Sequence, residues 1–162
     1  MVIYQSALYR PARIIYVTGY SYDIQFQDGR AEIMRNVSRQ HLAVMNGCNS
    51  NVCVGDSVIN TALTDEIVYN RILGITHDGL FVVNFEEGRS TNGRSWGWHE
   101  SYLARSQGCM NGWCVGDNAY SRLLQANVRV LGHQPAGLVL EISSGRQRGM
   151  RVKFYQDQLS RL

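Results

Sequence analysis

Four cysteines stand in two pairs, Cys48/Cys53 and Cys109/Cys114, each pair separated by four residues. Thiolates so placed could ligate zinc, act as nucleophiles or close a short-range disulfide. A four-cysteine zinc site would need both pairs to converge on one metal. Histidine does not complete two separate sites either, because His41, His77, His99 and His133 fall in unrelated positions. A cysteine nucleophile needs a base and an orienting group, and a pair duplicated in two places suits structure better than catalysis. Disulfides Cys48–Cys53 and Cys109–Cys114 are therefore the favoured reading, with free thiols and zinc as the alternatives. Bridges this short stiffen a segment more than they stabilise a whole domain. Disulfides also imply an extracytoplasmic location: periplasmic, secreted or at the cell surface.

Catalytic signatures are absent: no Gly-x-Gly-x-x-Gly, no phosphate loop, no His-Glu-x-x-His and no Gly-x-Ser-x-Gly. The expectation is a protein that is not an enzyme and uses no cofactor and no metal. Glu86-Glu87 reads as a solvated turn. The aromatic residues are a better lead, because aromatic faces bind sugars, peptides and cations. Trp96, Tyr102 and Trp113 are candidate ligand-binding residues, with Tyr20 and Tyr22 as weaker ones. A basic cluster, Arg146, Arg148, Arg151 and Lys153, is the candidate nucleic-acid patch.

The elements that must position these residues come in copies. GCNSNVCVGDSVIN at 47–60 returns as GCMNGWCVGDNAYS at 108–121. Arg13, Arg71 and Arg129 lie 58 residues apart, each opening an apolar stretch. Gly29-Arg30, Gly88-Arg89 and Gly145-Arg146 follow in turn. Then come Val37, Trp98 and Phe154, each five residues before a leucine. Such self-similarity is the signature of a repeat architecture. Three modules follow: 1–47, 48–108 and 109–162. The first begins at the first strand without the cysteine lead-in, so the chain reads as a fragment or as one whose first copy lacks that segment.

The same comparison sorts the aromatics. Phe26, Phe85 and Trp98 have apolar counterparts in every copy and read as core. Trp96 faces Arg35 and Val152, Tyr102 faces His41 and Gln158, and Trp113 faces Asn51 or Val52. Positions that vary between copies are not required by the fold.

Within the middle copy, period-two alternation and turn residues mark strands at 55–60, 71–75, 81–85 and 94–98. His77-Asp78-Gly79 is a turn, as are Asn46-Gly47, Asn92-Gly93 and Asn111-Gly112. His99-Glu100-Ser101-Tyr102 suits a single 3₁₀ turn, and Leu103-Ala104 starts a fifth strand. The fold class is all-β.

This order, with Gly55-Asp56-x-Val58 and Gly116-Asp117 before strand one, Arg-Ile-x-Gly in strand two and a one-turn helix ahead of Leu103, resembles the SH3-like small barrels of the bacterial SH3 and Tudor type. The cysteine junctions also resemble repeats in exported bacterial proteins. The resemblance implies three tandem barrels of four to five short strands; a single β-trefoil is the alternative. It also implies a non-catalytic binding or structural module that contacts a cell-wall glycan, a peptide or a protein partner through several weak sites.

Charge argues in the same direction. Basic and acidic side chains number five against three in 1–47, four against seven in 48–108 and seven against three in 109–162. A nucleic-acid binder carries a sustained basic face, so nucleic acid is the unlikely partner and an accessory arm of a larger enzyme is the remaining alternative. No apolar run reaches the length needed to span a bilayer.

Overall fold

The computed structural model describes residues 1–6, 10–62, 67–85 and 94–162. The Glu86-Glu87, Gly88-Arg89 and Asn92-Gly93 turns lie outside the described residues. The protein is all-β and its strands pair antiparallel. Helix among the described residues is confined to single 3₁₀ turns, η1 (Arg39–His41) and η2 (Glu100–Tyr102). No described helix is long and apolar enough to cross a membrane.

In chain order the strands are β1 (Val2–Tyr4), β2 (Arg10–Thr18), β3 (Ser21–Phe26), β4 (Ile33–Ser38) and β5 (Leu42–Val44). A two-residue-stranded hairpin follows, β6 (Cys48–Asn49) and β7 (Val52–Cys53). The second copy supplies β8 (Ser57–Asn60), β9 (Val68–Thr76), β10 (Phe81–Phe85), β11 (Arg94–Trp98) and β12 (Leu103–Arg105). A second cysteine hairpin, β13 (Cys109–Met110) and β14 (Trp113–Cys114), leads into β15 (Asn118–Ser121), β16 (Ala126–Gln134), β17 (Gly137–Ile142), β18 (Arg151–Tyr155) and β19 (Leu159–Arg161). In each copy the last strand returns to the first, as in Ile3↔Ala43, Ile59↔Ala104 and Tyr120↔Ser160.

The chain divides into two compact units, residues 1–56 with 71–100 and residues 57–70 with 101–162. In the first, Val2, Ala12, Ile24, Phe26, Val37 and Leu42 form a buried cluster. Arg10 covers the Phe26 ring at 3.6 Å while its guanidinium bonds Asp28 at 2.6 Å, which holds the Asp28 carboxyl below its usual range. In the second, Ala119, Val128, Val130, Leu140, Ile142 and Tyr155 form the corresponding cluster.

Each unit contains one joint between successive copies, and the two joints are alike. In the first, β5 pairs with the end of β9 (Ala43↔Thr76), and Ile3, Ala43 and Val82 pack with Leu73 and Trp96. In the second, β12 pairs with the end of β16 (Arg105↔His133), and Ile59, Ala104 and Val139 pack with Leu131. A glycine makes the close approach possible. A Cβ on Gly74 would stand 3.1 Å from the Ala43 Cβ, and one on Gly132 would stand 2.9 Å from the Arg105 carbonyl oxygen. The first copy has Tyr16 at this position and Asp23 where the joints have Val82 and Val139. There the Asp23 carboxylate accepts the Asn36 N–H at 3.0 Å and meets Arg35 at 3.5 Å, while Ile15, Tyr16 and Val17 stay exposed.

The strand ladders revise one detail of the internal alignment. Tyr155, not Phe154, pairs where Trp98 and Val37 do: Phe81↔Trp98, Tyr22↔Val37 and Leu138↔Tyr155. The third copy lacks the 3₁₀ turn and is one residue shorter before its leucine. Phe154 therefore matches Asn36 and Gly97, and all three take the left-handed backbone at φ 60°, 56° and 88°.

Candidate functional site: a cleft in the third copy

Each cysteine pair sits directly across its hairpin and is disulfide-bonded, Cys48↔Cys53 and Cys109↔Cys114. The turns between them have both central residues at positive φ, Ser50 and Asn51 at 49° and 68°, Asn111 and Gly112 at 52° and 84°. Asn-Gly adopts that type I′ geometry readily. With their sulfurs joined, these cysteines are free neither as nucleophiles nor as metal ligands.

The Val-Gly-Asp that follows anchors the hairpin. Gly116 N–H donates to the Val130 carbonyl at 2.8 Å, and Val130 N–H donates to the Asp117 carbonyl at 2.9 Å. Gly55, Asp56 and Ile72 repeat both bonds, at 2.8 and 2.9 Å. The hairpin is thereby held against the long strand of its own copy, beside the exposed Arg71 or Arg129. This anchoring explains why Cys-Val-Gly-Asp is the best-preserved stretch of the internal repeat.

In the third copy the anchored hairpin presents Trp113, half-buried against the cluster of Val128, Val130 and Leu140. The Arg161 guanidinium lies 4.6 Å from the centroid of the indole and donates to the Gly112 carbonyl at 2.6 Å. Opposite stands the β16–β17 turn. Gly137 at φ 145° is required there, because a Cβ would come within 2.5 Å of the Tyr155 carbonyl oxygen. Gln156 closes the segment by donating its side-chain N–H to the Ala136 carbonyl at 2.8 Å.

Between hairpin, turn and the 156–159 segment lies a cleft of about 490 Å³, whose lining includes Trp113, Gln134, Leu138, Tyr155, Asp157 and Leu159. Tyr155 is fixed by a 2.6 Å bond between its hydroxyl and that of Ser121. Gln134 is 2% exposed, and neither its side-chain nitrogen nor its oxygen has a hydrogen-bond partner. Buried polar groups are nearly always paired, so an unpaired one requires a reason.

The other copies treat this place differently. Thr76 accepts the Leu80 N–H at 3.0 Å and also bonds Asp78, and Thr18 bonds Ser21 at 3.1 Å. In the second copy Asn49 donates to the Gly79 carbonyl at 2.8 Å, tying hairpin to turn. Met110 occupies the matching hairpin position in the third copy and cannot donate such a bond.

Of the candidate binding residues taken from the sequence, Trp113 alone lines this cleft. Trp96 lies on β11, half-buried against Ile3, Ala43 and Val82, in the first unit. Tyr102 ends η2 in the second unit, 45% exposed, with its carbonyl accepting the Thr61 N–H at 2.8 Å. Tyr20 is 92% exposed in the β2–β3 turn, and Tyr22 is half-buried against the first-copy core. Arg146 and Arg148 are exposed on the β17–β18 loop; Arg151 pairs with Glu141 at 3.3 Å, and Lys153 is half-buried on β18. Gln134 and Asp157 are not singled out by the sequence, and Leu138 reads there only as one face of an alternating strand. The departure of Gln134-Pro135-Ala136 from the threonine of the other copies was the available signal.

No protein-family model, curated protein or solved structure matches this chain.

Proposed function

We propose that the chain is a non-catalytic, extracytoplasmic binding protein of three tandem SH3-like barrels that recognises a cell-wall glycan or peptide. The observation that carries the reading is the cleft beside Trp113, which combines an aromatic wall, apolar side chains and a few polar groups, the usual make-up of a ligand site. Return of the last strand to the first in every copy supports the barrel reading. The two disulfides are compatible with an oxidising compartment.

Repetition suits a polymer, since linked weak sites gain avidity of roughly 10²–10⁴ without any new contact. The third copy supplies the principal site, and the exposed Tyr20 and Tyr102 are secondary contacts. A nucleic-acid role is the less favoured reading, because Arg151 is engaged by Glu141 and the middle copy is acidic. Co-sedimentation of the oxidised chain with insoluble peptidoglycan over a salt series tests the proposal. Pelleting that persists at high salt supports it; absence of pelleting, or pelleting lost steeply with salt, refutes it.

A further inference from the structure

Gln134 is the buried polar side chain that the third copy does not satisfy. A primary amide offers two N–H donors and a carbonyl acceptor, and here both ends are unpaired in the wall of a cleft. The fold does not demand this arrangement. Thr18 and Thr76 stand at the equivalent end of β2 and β9 and satisfy their hydroxyls within their own turns. Replacing threonine by Gln-Pro-Ala-Gly removes those local bonds and leaves an unpaired amide on a residue that lines the same cleft as Trp113.

The group that complements a primary amide most fully is another amide, with one carbonyl to accept and one N–H to donate. We propose that this cleft binds a secondary amide group. Gln134 donates to its carbonyl and accepts its N–H, while Trp113 and Leu138 cover the apolar atoms on either side. Gln134 lines the cleft while its amide is buried, so binding requires a turn about its side-chain torsions that brings the amide to the ligand. Asp157 on the facing segment is placed to accept from a neighbouring hydroxyl or N–H. Both the N-acetyl group of an amino sugar and a peptide bond carry this chemistry. The inference rests on the reading of the chain as a polymer-binding protein and specifies what its third copy recognises.

Isothermal titration of the whole oxidised chain with three probes separates the possibilities: an N-acetylglucosamine trimer, trialanine, and the fully deacetylated glucosamine trimer. The expected result is binding of at least one amide-bearing probe and none of the deacetylated trimer. Preference for the sugar assigns an N-acetyl site, and preference for trialanine a peptide site. Gln134→Leu, and Gln134→Met as a second variant of similar length, should weaken that binding about 10-fold or more. Both should keep or raise the thermal midpoint, since an unpaired buried amide is replaced by apolar atoms. A structural role for Gln134 predicts the opposite, a lowered midpoint with affinity unchanged. Failure of both amide probes, equal binding of the deacetylated trimer, or unaltered affinity in both variants would overturn the proposal. If peptidoglycan still pellets the chain in those cases, the polymer reading survives and only the amide assignment falls.

Discussion

The Asp117 carboxylate accepts the backbone N–H of Cys114 at 2.9 Å, three residues back along the chain. The bond closes the turn that leads from the disulfide hairpin into β15, and Asp56 makes the same bond to Cys53. Asp117→Ala removes a charged acceptor and leaves an N–H without a partner at a half-buried site. A loss of about 1.5 kcal/mol is expected, the low end for a charged hydrogen bond. Urea unfolding measures it, and Asp117→Asn should recover part of the loss because it keeps an acceptor.

The glycines of the joints differ in how tightly they are enclosed. At Gly132 the nearest neighbour to a new Cβ is backbone, the Arg105 carbonyl at 2.9 Å; at Gly74 it is the Ala43 side chain at 3.1 Å. Real Cβ atoms essentially never come within 3.0 Å, so the 2.9 Å contact forces the backbone to shift, whereas the contacts at Gly74, to the Ala43 Cβ at 3.1 Å and the Val44 carbonyl oxygen at 3.2 Å, need only a few tenths of an ångström. Gly132→Ala should therefore destabilise the chain by about 2 kcal/mol, in the range for overpacking, and Gly74→Ala by less. Equal midpoints for the two variants would show that the second joint yields as easily as the first.

Phe154 holds a left-handed conformation at φ 60° and is 42% exposed. Side chains with a Cβ pay roughly 1–2 kcal/mol for that backbone, and glycine does not. Phe154→Gly should accordingly be more stable than Phe154→Ala by about 1 kcal/mol, the reverse of the usual order within a strand. Chemical denaturation of the two variants compares them directly.

Much of the fold was legible because local signals agreed. Phe81, Val83 and Phe85 alternate, the Arg71 stretch is rich in β-branched residues, and Asn111-Gly112 demands a tight turn; each became the element expected. Trp98 was placed correctly and Phe154 was not, for one physical reason. The third copy dispenses with the 3₁₀ turn, so counting back from Leu159 lands one residue away from the ladder position of Tyr155. Trp113 was visible as an aromatic without counterparts. Gln134 was not, because a glutamine before Pro135 looks like ordinary turn chemistry. Its significance lies in two absent hydrogen bonds, which depend on how the hairpin, the turn and the 156–159 segment meet.

The most direct test of the third-copy cleft is a backbone amide NMR titration of the oxidised chain with soluble peptidoglycan fragments. Chemical-shift changes should cluster on Asn111, Trp113, Gln134, Ala136 to Leu138 and Gln156 to Leu159, and should be lost in Trp113→Ala. Changes centred instead on Trp96, Tyr20 or the Arg146–Arg151 loop, or no changes at saturating ligand, would contradict the assignment of this cleft as the binding site.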